Sequence, residues 1–370
     1  MTDCNAGCPG TPRAAVFRGD SRLAVAVTGV QPPETVIPCK DVFFANRAAR
    51  LFLLITMALA AAPVAAESGD IQTDAQQLLN RMAGATRTLN YDGIFIYRRN
   101  HRMDTMRLIH KVAGDGERER LISLTGNARE VIRDNKSVTC IFPETKVVLV
   151  EKSRNHELIS AQLSEPVEKS AEQYLFSVVD QDRVAGRDAW VVSIKPIDNF
   201  RYGYQLWIDK ENSLLLKSNL QNISGETLEQ ILFTKLDVMD EIPDRLLEPS
   251  IPGTGFTWYR LTPDDSETEN NSPRWQVQWL PTGFKLKNYE KQPAVSGRQV
   301  VDHIIFSDGL AMVSVFIEKY SQPSRFIPGS TTKGAVNAFA RIANGYQVTA
   351  VGEVPQSTVQ RMAISVVTSQ

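Results

Sequence analysis

The chain has 370 residues, 42% of them apolar, and its 41 lysines and arginines against 42 acidic residues leave a net charge of −1. That length admits two domains at about 100–200 residues each, and the apolar fraction is that of an ordinary globular protein. The even charge balance supplies no basic footprint for nucleic acid.

Residues 1–41 are rich in Gly and Pro, show no clear periodicity and hold Cys4, Cys8 and Cys39. They read as a disordered upstream extension, the product of a start site placed too early, the alternative being a genuine long leader, and those cysteines are not read as a metal site. Residues 42–66 read as a secretory signal peptide. Arg47 and Arg50 precede the apolar run Leu51–Ala60, and Val64 and Ala66 are the small residues at the exit. The apolar run is short for a membrane span of about 20 residues. Cleavage between Ala66 and Glu67 is expected. The leader carries six Lys/Arg against four Asp/Glu, so its removal takes the net charge from −1 to −3. Cys140 is the only cysteine left, which leaves no intramolecular disulfide, and no lipobox cysteine follows the apolar run.

The expected N-terminal domain covers 67–246. Thr73 and Gln76 form a capping-box pattern, and Ala75, Leu78, Leu79 and Met82 follow at the spacing of one helical stripe. Strands are expected near 93–99, 103–113, 119–124, 128–134, 137–142 and 145–151, separated by turn formers such as Gly114-Asp115-Gly116 and Asp134-Asn135. A polar, helix-compatible interval covers 154–174, and strands near 175–184 and 188–195 follow. From Asp188 to Leu236 apolar runs rich in β-branched and aromatic residues alternate with turn groups, the pattern of an antiparallel meander. Roughly eleven consecutive strands after one helix should curl into a half-open barrel wrapped around helices.

A linker is expected over 247–273, where Pro and Gly give way to the acidic run 264–269. The C-terminal domain, 274–370, is expected to be a smaller antiparallel α+β unit. Its strands fall near 284–290, 299–307, 310–320 and 346–353, and a helix over 355–367 places Val359, Met362, Ala363 and Val366 on one face. The fold class is thus α+β, mostly antiparallel β, with a large half-open barrel and a smaller second domain.

No catalytic constellation appears. His101, His110, His156 and His303 lack metal-ligand spacing, and no nucleophile elbow, phosphate loop or dinucleotide fingerprint is present. Cys140 sits in an apolar run without an adjacent histidine and reads as an inert core residue. No cofactor or metal is called for. Two features suggest binding instead. Tyr202, Tyr204, Leu206 and Ile208 alternate onto one strand face, and Phe95 and Tyr97 do the same on the first strand. With Leu78 and Met82 of the helix they are expected to line one apolar cavity, the competing reading being ordinary core. Arg98, Arg99, Arg102 and Arg107 concentrate charge on the first hairpin. They read either as a solvated face or as a docking edge for anions.

Several motifs then carry a family resemblance. Arg201–Asp209 (RYGYQLWID), Gly225–Gln230 (GETLEQ), Trp279–Phe284 (WLPTGF), Phe306–Leu310 (FSDGL) and Val351–Pro355 (VGEVP) resemble, in order, the two domains of the RseB/MucB family. The resemblance implies a periplasmic negative regulator of the envelope stress sigma factor, with an N-terminal domain similar to the LolA/LolB lipoprotein carriers. It implies binding to the periplasmic part of a membrane-spanning anti-sigma factor, protection of that partner from regulated proteolysis, and release by lipid signals such as lipopolysaccharide or mislocalised lipoprotein. An acyl chain of about 12–14 carbons could contribute roughly 10 kcal/mol before ordering costs, comparable to a nanomolar protein contact. The competing readings are a lipid or lipoprotein carrier without a signalling partner, which would not need residues 274–370, and a periplasmic enzyme. Oligomeric state stays open, a homo-oligomer included.

Overall fold

The computed structural model describes residues 68–114, 116–153, 172–261, 274–293, 300–320 and 328–368. The extension, the signal peptide, most of the 154–174 interval and the acidic run 264–269 lie outside the described residues.

The first helix, α1 (Ser68–Thr88), begins five residues before the expected cap, so Thr73 lies inside it. Nothing in Ser68–Gln72 opposes a helix, since the stretch holds no Pro and its single Gly is at the start. The strands follow as β1 (Asn90–Arg99), β2 (Arg102–Ala113), β3 (Gly116–Ser123), β4 (Glu130–Arg133), β5 (Ser137–Phe142) and β6 (Val147–Lys152). Then come β7 (Tyr174–Val184), β8 (Arg187–Pro196), β9 (Gly203–Asp209), β10 (Leu215–Gln221) and β11 (Thr227–Met239). The β7–β8 hairpin turns through Ala185 and Gly186, both at positive φ, the geometry that matches the twist of a two-residue hairpin.

Two meanders are joined at their ends. β11 returns to pair antiparallel with β1 along the whole of that strand, setting Phe95 beside Phe233 and Tyr97 beside Ile231. One further strand, β12 (Thr257–Leu261), lies parallel to β6, so the sheet has twelve strands in the order β12-β6-β5-β4-β3-β2-β1-β11-β10-β9-β8-β7. The chain reaches β12 by crossing the back of the sheet. There Ile242 and Leu247 pack on Ile109, and Arg120 donates to Glu130 at 3.0 Å and to the Leu246 carbonyl at 3.0 Å. The first part of the expected linker is therefore fastened to the N-terminal sheet.

In the second domain β13 (Trp275–Val277), β14 (Lys285–Pro293), β15 (Val300–Ser307), β16 (Met312–Lys319), β17 (Gly329–Lys333), β18 (Val336–Ala343) and β19 (Tyr346–Gly352) precede α2 (Gln356–Ile364) and β20 (Val366–Thr368). Six of these strands form one antiparallel sheet, β14-β15-β16-β19-β18-β17. Val359, Met362 and Ala363 of α2 are buried against it with Val313, Val315 and Val348. The expected helix ends earlier than its stripe suggested. Ser365 caps the end of α2, its amide donating to the Arg361 and Met362 carbonyls at 3.1 and 3.2 Å, and the β-branched run Val366-Val367-Thr368 pairs with Trp275–Val277 instead of continuing the helix.

Candidate functional site

Cross-strand register decides which side chains share a face. Leu206 lies opposite Ser218, Ser218 opposite Ile231, and Ile231 opposite Tyr97. The next row runs Tyr204, Leu220, Glu229, Arg99. Directly opposed residues project to the same side, so one continuous face extends from β9 across β11 to β1. Helix α1 covers it: Ala75, Leu78, Leu79 and Met82 are buried in one cluster with Tyr202, Tyr204, Leu206 and Ile208. Phe95 falls in an adjoining cluster with Tyr91, Leu108 and Phe233, and Tyr97 packs at its margin. The eight residues expected to line one cavity thus occupy one face but two packed clusters. This face carries a small, partly open cavity of about 20 Å³ lined by Thr86, Tyr91, Leu108, Leu214, Leu215, Phe233 and Leu236. None of the eight borders it. A buried water needs about 10–15 Å³, so this cavity has room for one water.

The four arginines of the first hairpin are not brought together. Side chains alternate along a strand, so Arg99 and the opposed Arg102 belong to the helix-covered face, and Arg98 and Arg107 to the other. Arg107 is held in a fork by Asp92, at 2.9 Å from Nε to Oδ1 and 2.5 Å from Nη2 to Oδ2. Lys333 of the second domain joins the Arg99 side; burial, then the charges of Arg99 and Arg102, lower its pKa. Ala66 and Glu67 lie outside the described residues.

Sequence reasoning singled out Tyr97 and Tyr202 but not the buried charges they adjoin at the seam between the domains. Arg201 is fully buried. The link after β8 prepares it: Asp198 Oδ1 accepts the Phe200 amide at 2.9 Å and Arg201 Nε at 3.1 Å, and Asp198 Oδ2 accepts Nη2 at 3.0 Å. Arg201 then reaches across the seam, donating from Nη1 to Asp308 Oδ2 at 2.5 Å and from Nη2 to the Thr282 carbonyl at 2.6 Å. Asp308 is aimed by its own turn, because its Oδ1 accepts the amides of Leu310 at 2.9 Å and Ala311 at 2.7 Å. Its Oδ2 also accepts the Tyr174 hydroxyl at 3.0 Å. Burial, and then the Asp308 charge, push the Tyr174 hydroxyl well above the ordinary phenol range. The guanidinium is sandwiched 5.5 Å from the Tyr174 ring and 5.3 Å from the Phe284 ring.

Further contacts extend the seam. Asn337 donates to the Tyr202 hydroxyl at 3.0 Å, and Thr358 donates to the Phe200 carbonyl at 2.8 Å. Arg361 lies 3.9 Å over Trp279, which packs edge-on to Phe200. Glu229 accepts the Ala335 amide at 3.1 Å and the Tyr97 hydroxyl, and burial, followed by the Glu229 charge, raises the Tyr97 pKa. Leu310 and Ala335 are members of the N-terminal cluster itself. Arg201 and Asp308 sit in the RYGYQLWID and FSDGL motifs, but nothing local in either motif marks its charge as buried.

This arrangement holds two surfaces together. Burial pushes the Cys140 thiol up to about 11, with Glu151 adding to the rise, so the thiolate is scarce at neutral pH. Among the described residues no group of three or more His, Cys, Asp or Glu is placed to hold a metal.

The matches to known proteins span both domains and the seam. Residues 74–251 match the model of the MucB/RseB N-terminal domain, and residues 269–367 that of the MucB/RseB C-terminal domain. This chain belongs to the MucB/RseB family. The Sigma factor AlgU regulatory protein MucB of Pseudomonas aeruginosa is 33% identical over 298 residues, 79% of this chain and 90% of that one. The Sigma-E factor regulatory protein RseB of Haemophilus influenzae is 28% identical over 295 residues, with the same shares covered. The solved complex of Pseudomonas aeruginosa MucA and MucB is similar in structure, with a TM-score of 0.65 at 29% identity, covering 80% of this chain and 99% of that one. A structure of MucB with MucA(peri) matches at a TM-score of 0.63 and 29% identity, covering 80% of this chain and all of that one. These curated relatives are regulatory proteins by name.

Proposed function

We propose that this chain is a periplasmic negative regulator of the envelope stress response. It leaves the cytoplasm through the signal peptide and is cleaved after Ala66. It binds the periplasmic part of a membrane-spanning anti-sigma factor, protects that partner from regulated proteolysis, and lets go when a lipid signal, lipopolysaccharide or mislocalised lipoprotein, is present. It carries out no catalysis. The observation that supports this best is the match of both domains to MucB as solved together with MucA, over 99% of the MucA/MucB complex chain. The lipid part is supported by the continuous apolar face under α1, which runs through Leu206 and Tyr97. A carrier acting through its N-terminal domain alone fits less well, because Leu310 and Ala335 of the second domain complete that domain's core.

The test is capture of the mature chain, residues 67–370, on a resin bearing the anti-sigma factor's periplasmic segment. Retention that is lost on adding lipopolysaccharide supports both parts. Retention that lipid leaves unchanged removes the lipid part, and no retention removes the partner.

A further inference from the structure

The apolar face beneath α1 has two ends, and they are closed differently. One end carries the small cavity beside Tyr91 and Leu214. The other is the row Tyr204, Leu220, Glu229, Arg99, where β9 begins and β1 ends. The turn Lys333-Gly334-Ala335 of the second domain sits on that row. Ala335 is fully buried in the N-terminal cluster, its amide bonds Glu229 Oε1, and Leu310 enters the same cluster from the turn that presents Asp308 to Arg201. Gly334 has φ +64°, and any side chain there would meet Arg99 and come within 2.5 Å of Glu229 Oε1.

We propose that the second domain is a built-in plug. The Lys333–Ala335 turn and Leu310 occupy the open end of the apolar face, and an acyl chain enters only when the seam parts and withdraws them. This rests on the lipid part of the function proposed above and adds to it the route of entry and the residues that block it. A lipid signal is thereby converted into a change in the relative placement of the two domains. The same chain segment cannot fill the face and leave it to a ligand, so the two states exclude each other.

The turn glycines supply a matched test. Gly334→Ala wedges the turn against Arg99 and Glu229. Gly345→Ala, in the β18–β19 turn, carries the same kind of backbone strain at φ +78° with nothing within 4 Å of the added methyl. Mature wild type, Gly334→Ala and Gly345→Ala are each titrated with dansyl-undecanoic acid, and their domain separation is followed by small-angle X-ray scattering. The plug predicts that Gly334→Ala expands the particle and binds the probe about tenfold tighter, because the competent fraction rises, with Gly345→Ala matching wild type. Equal probe affinity in Gly334→Ala and Gly345→Ala, with or without expansion, overturns the plug. If Gly334→Ala does not fold, Gly283→Ala (φ +88°) drives the other side of the seam against Gln173, at 2.6 Å from its carboxamide carbon, and carries the same prediction. Absence of probe binding by wild type and every variant overturns the lipid reading itself, and the wild-type titration tells that failure from failure of the plug alone.

Discussion

Asp308→Asn cuts the seam at its most buried point. The Arg201 and Asp308 side chains are both 0% exposed. The asparagine keeps an oxygen for the Leu310 and Ala311 amides, so the turn survives, but the guanidinium loses the carboxylate that faced it at 2.5 Å. Asp198 remains as its one carboxylate among the contacts described, and that residue is partly exposed. Removing one member of a buried pair costs about 3–5 kcal/mol, because the other charge is left in a poor solvent. The Tyr174 hydroxyl, which also donates to Asp308 Oδ2, can use the new carboxamide oxygen only if the amide gives up the turn. The loss should therefore fall in the upper part of that range. Arg201→Met removes the charge instead, and the double variant Arg201→Met with Asp308→Asn should recover part of the loss, leaving a coupling energy above about 1.5 kcal/mol. Urea unfolding followed by tryptophan emission reads this directly, since Trp279 lies at the seam and Trp207 in the N-terminal domain. The contact joins two domains, so Asp308→Asn should also split a joint transition into two. A single transition shifted by less than about 0.5 kcal/mol, with no coupling in the cycle, would refute the claim that this pair ties the domains together.

Other outcomes follow from the same geometry. Leu206 is 2% exposed and does not line the small cavity beside Tyr91 and Leu214, so Leu206→Ala should cost about 2–5 kcal/mol in denaturant unfolding; a loss near 1 kcal/mol would mean that the wall beneath α1 is already open. Asp182 is held below the ordinary carboxylate range by the Arg183 amide and then by the Trp207 indole N–H at 2.8 Å. Its contribution is present above the unfolded pKa of about 4 and fades as pH falls through the folded value. Acid titration of wild type against Asp182→Asn should therefore show a Trp207 emission change below about pH 4 in wild type alone.

The strands were the legible part of the fold, because β-branched and aromatic runs between turn formers impose a period of two. Their closure was not. The pairing of Phe95 with Phe233 joins positions far apart in sequence, and no local pattern encodes it. In the second domain β17 reads GSTTK, all small or polar, and β18 reads VNAFARIA, which suits a helix as well as a strand; only the sheet between them and β19 decides. Val366 shows the reverse case, where a residue at the right helical spacing was claimed by pairing with Val277. For the candidate site, the alternation of β1 and β2 already separates Arg98 and Arg107 from Arg99 and Arg102, so that division was open to sequence reasoning. Arg201 and Asp308 were not, since a charge in a loop reads as solvated until tertiary structure buries it against its opposite.

The lipid gating proposed above sets an energy scale for the seam. Moving a two-state equilibrium from about 1:99 to 99:1 takes roughly 5.5 kcal/mol of differential binding. An acyl chain of about 12 carbons has roughly 10 kcal/mol of transfer energy to offer before ordering costs. Parting the seam returns both Arg201 and Asp308 to water, so hydration regained offsets much of the attraction lost, and the pair resists opening by less than the cost of removing one partner. A protein partner that grips both domains gains from the closed arrangement, in which Asn337 meets Tyr202 and Thr358 meets Phe200. Under the plug proposed above, a lipid gains only from the open one, in which Leu310 and Ala335 leave the cluster they now occupy. Competition between lipid and partner then needs no shared contact residue. It follows from two ligands that prefer different placements of the same two domains.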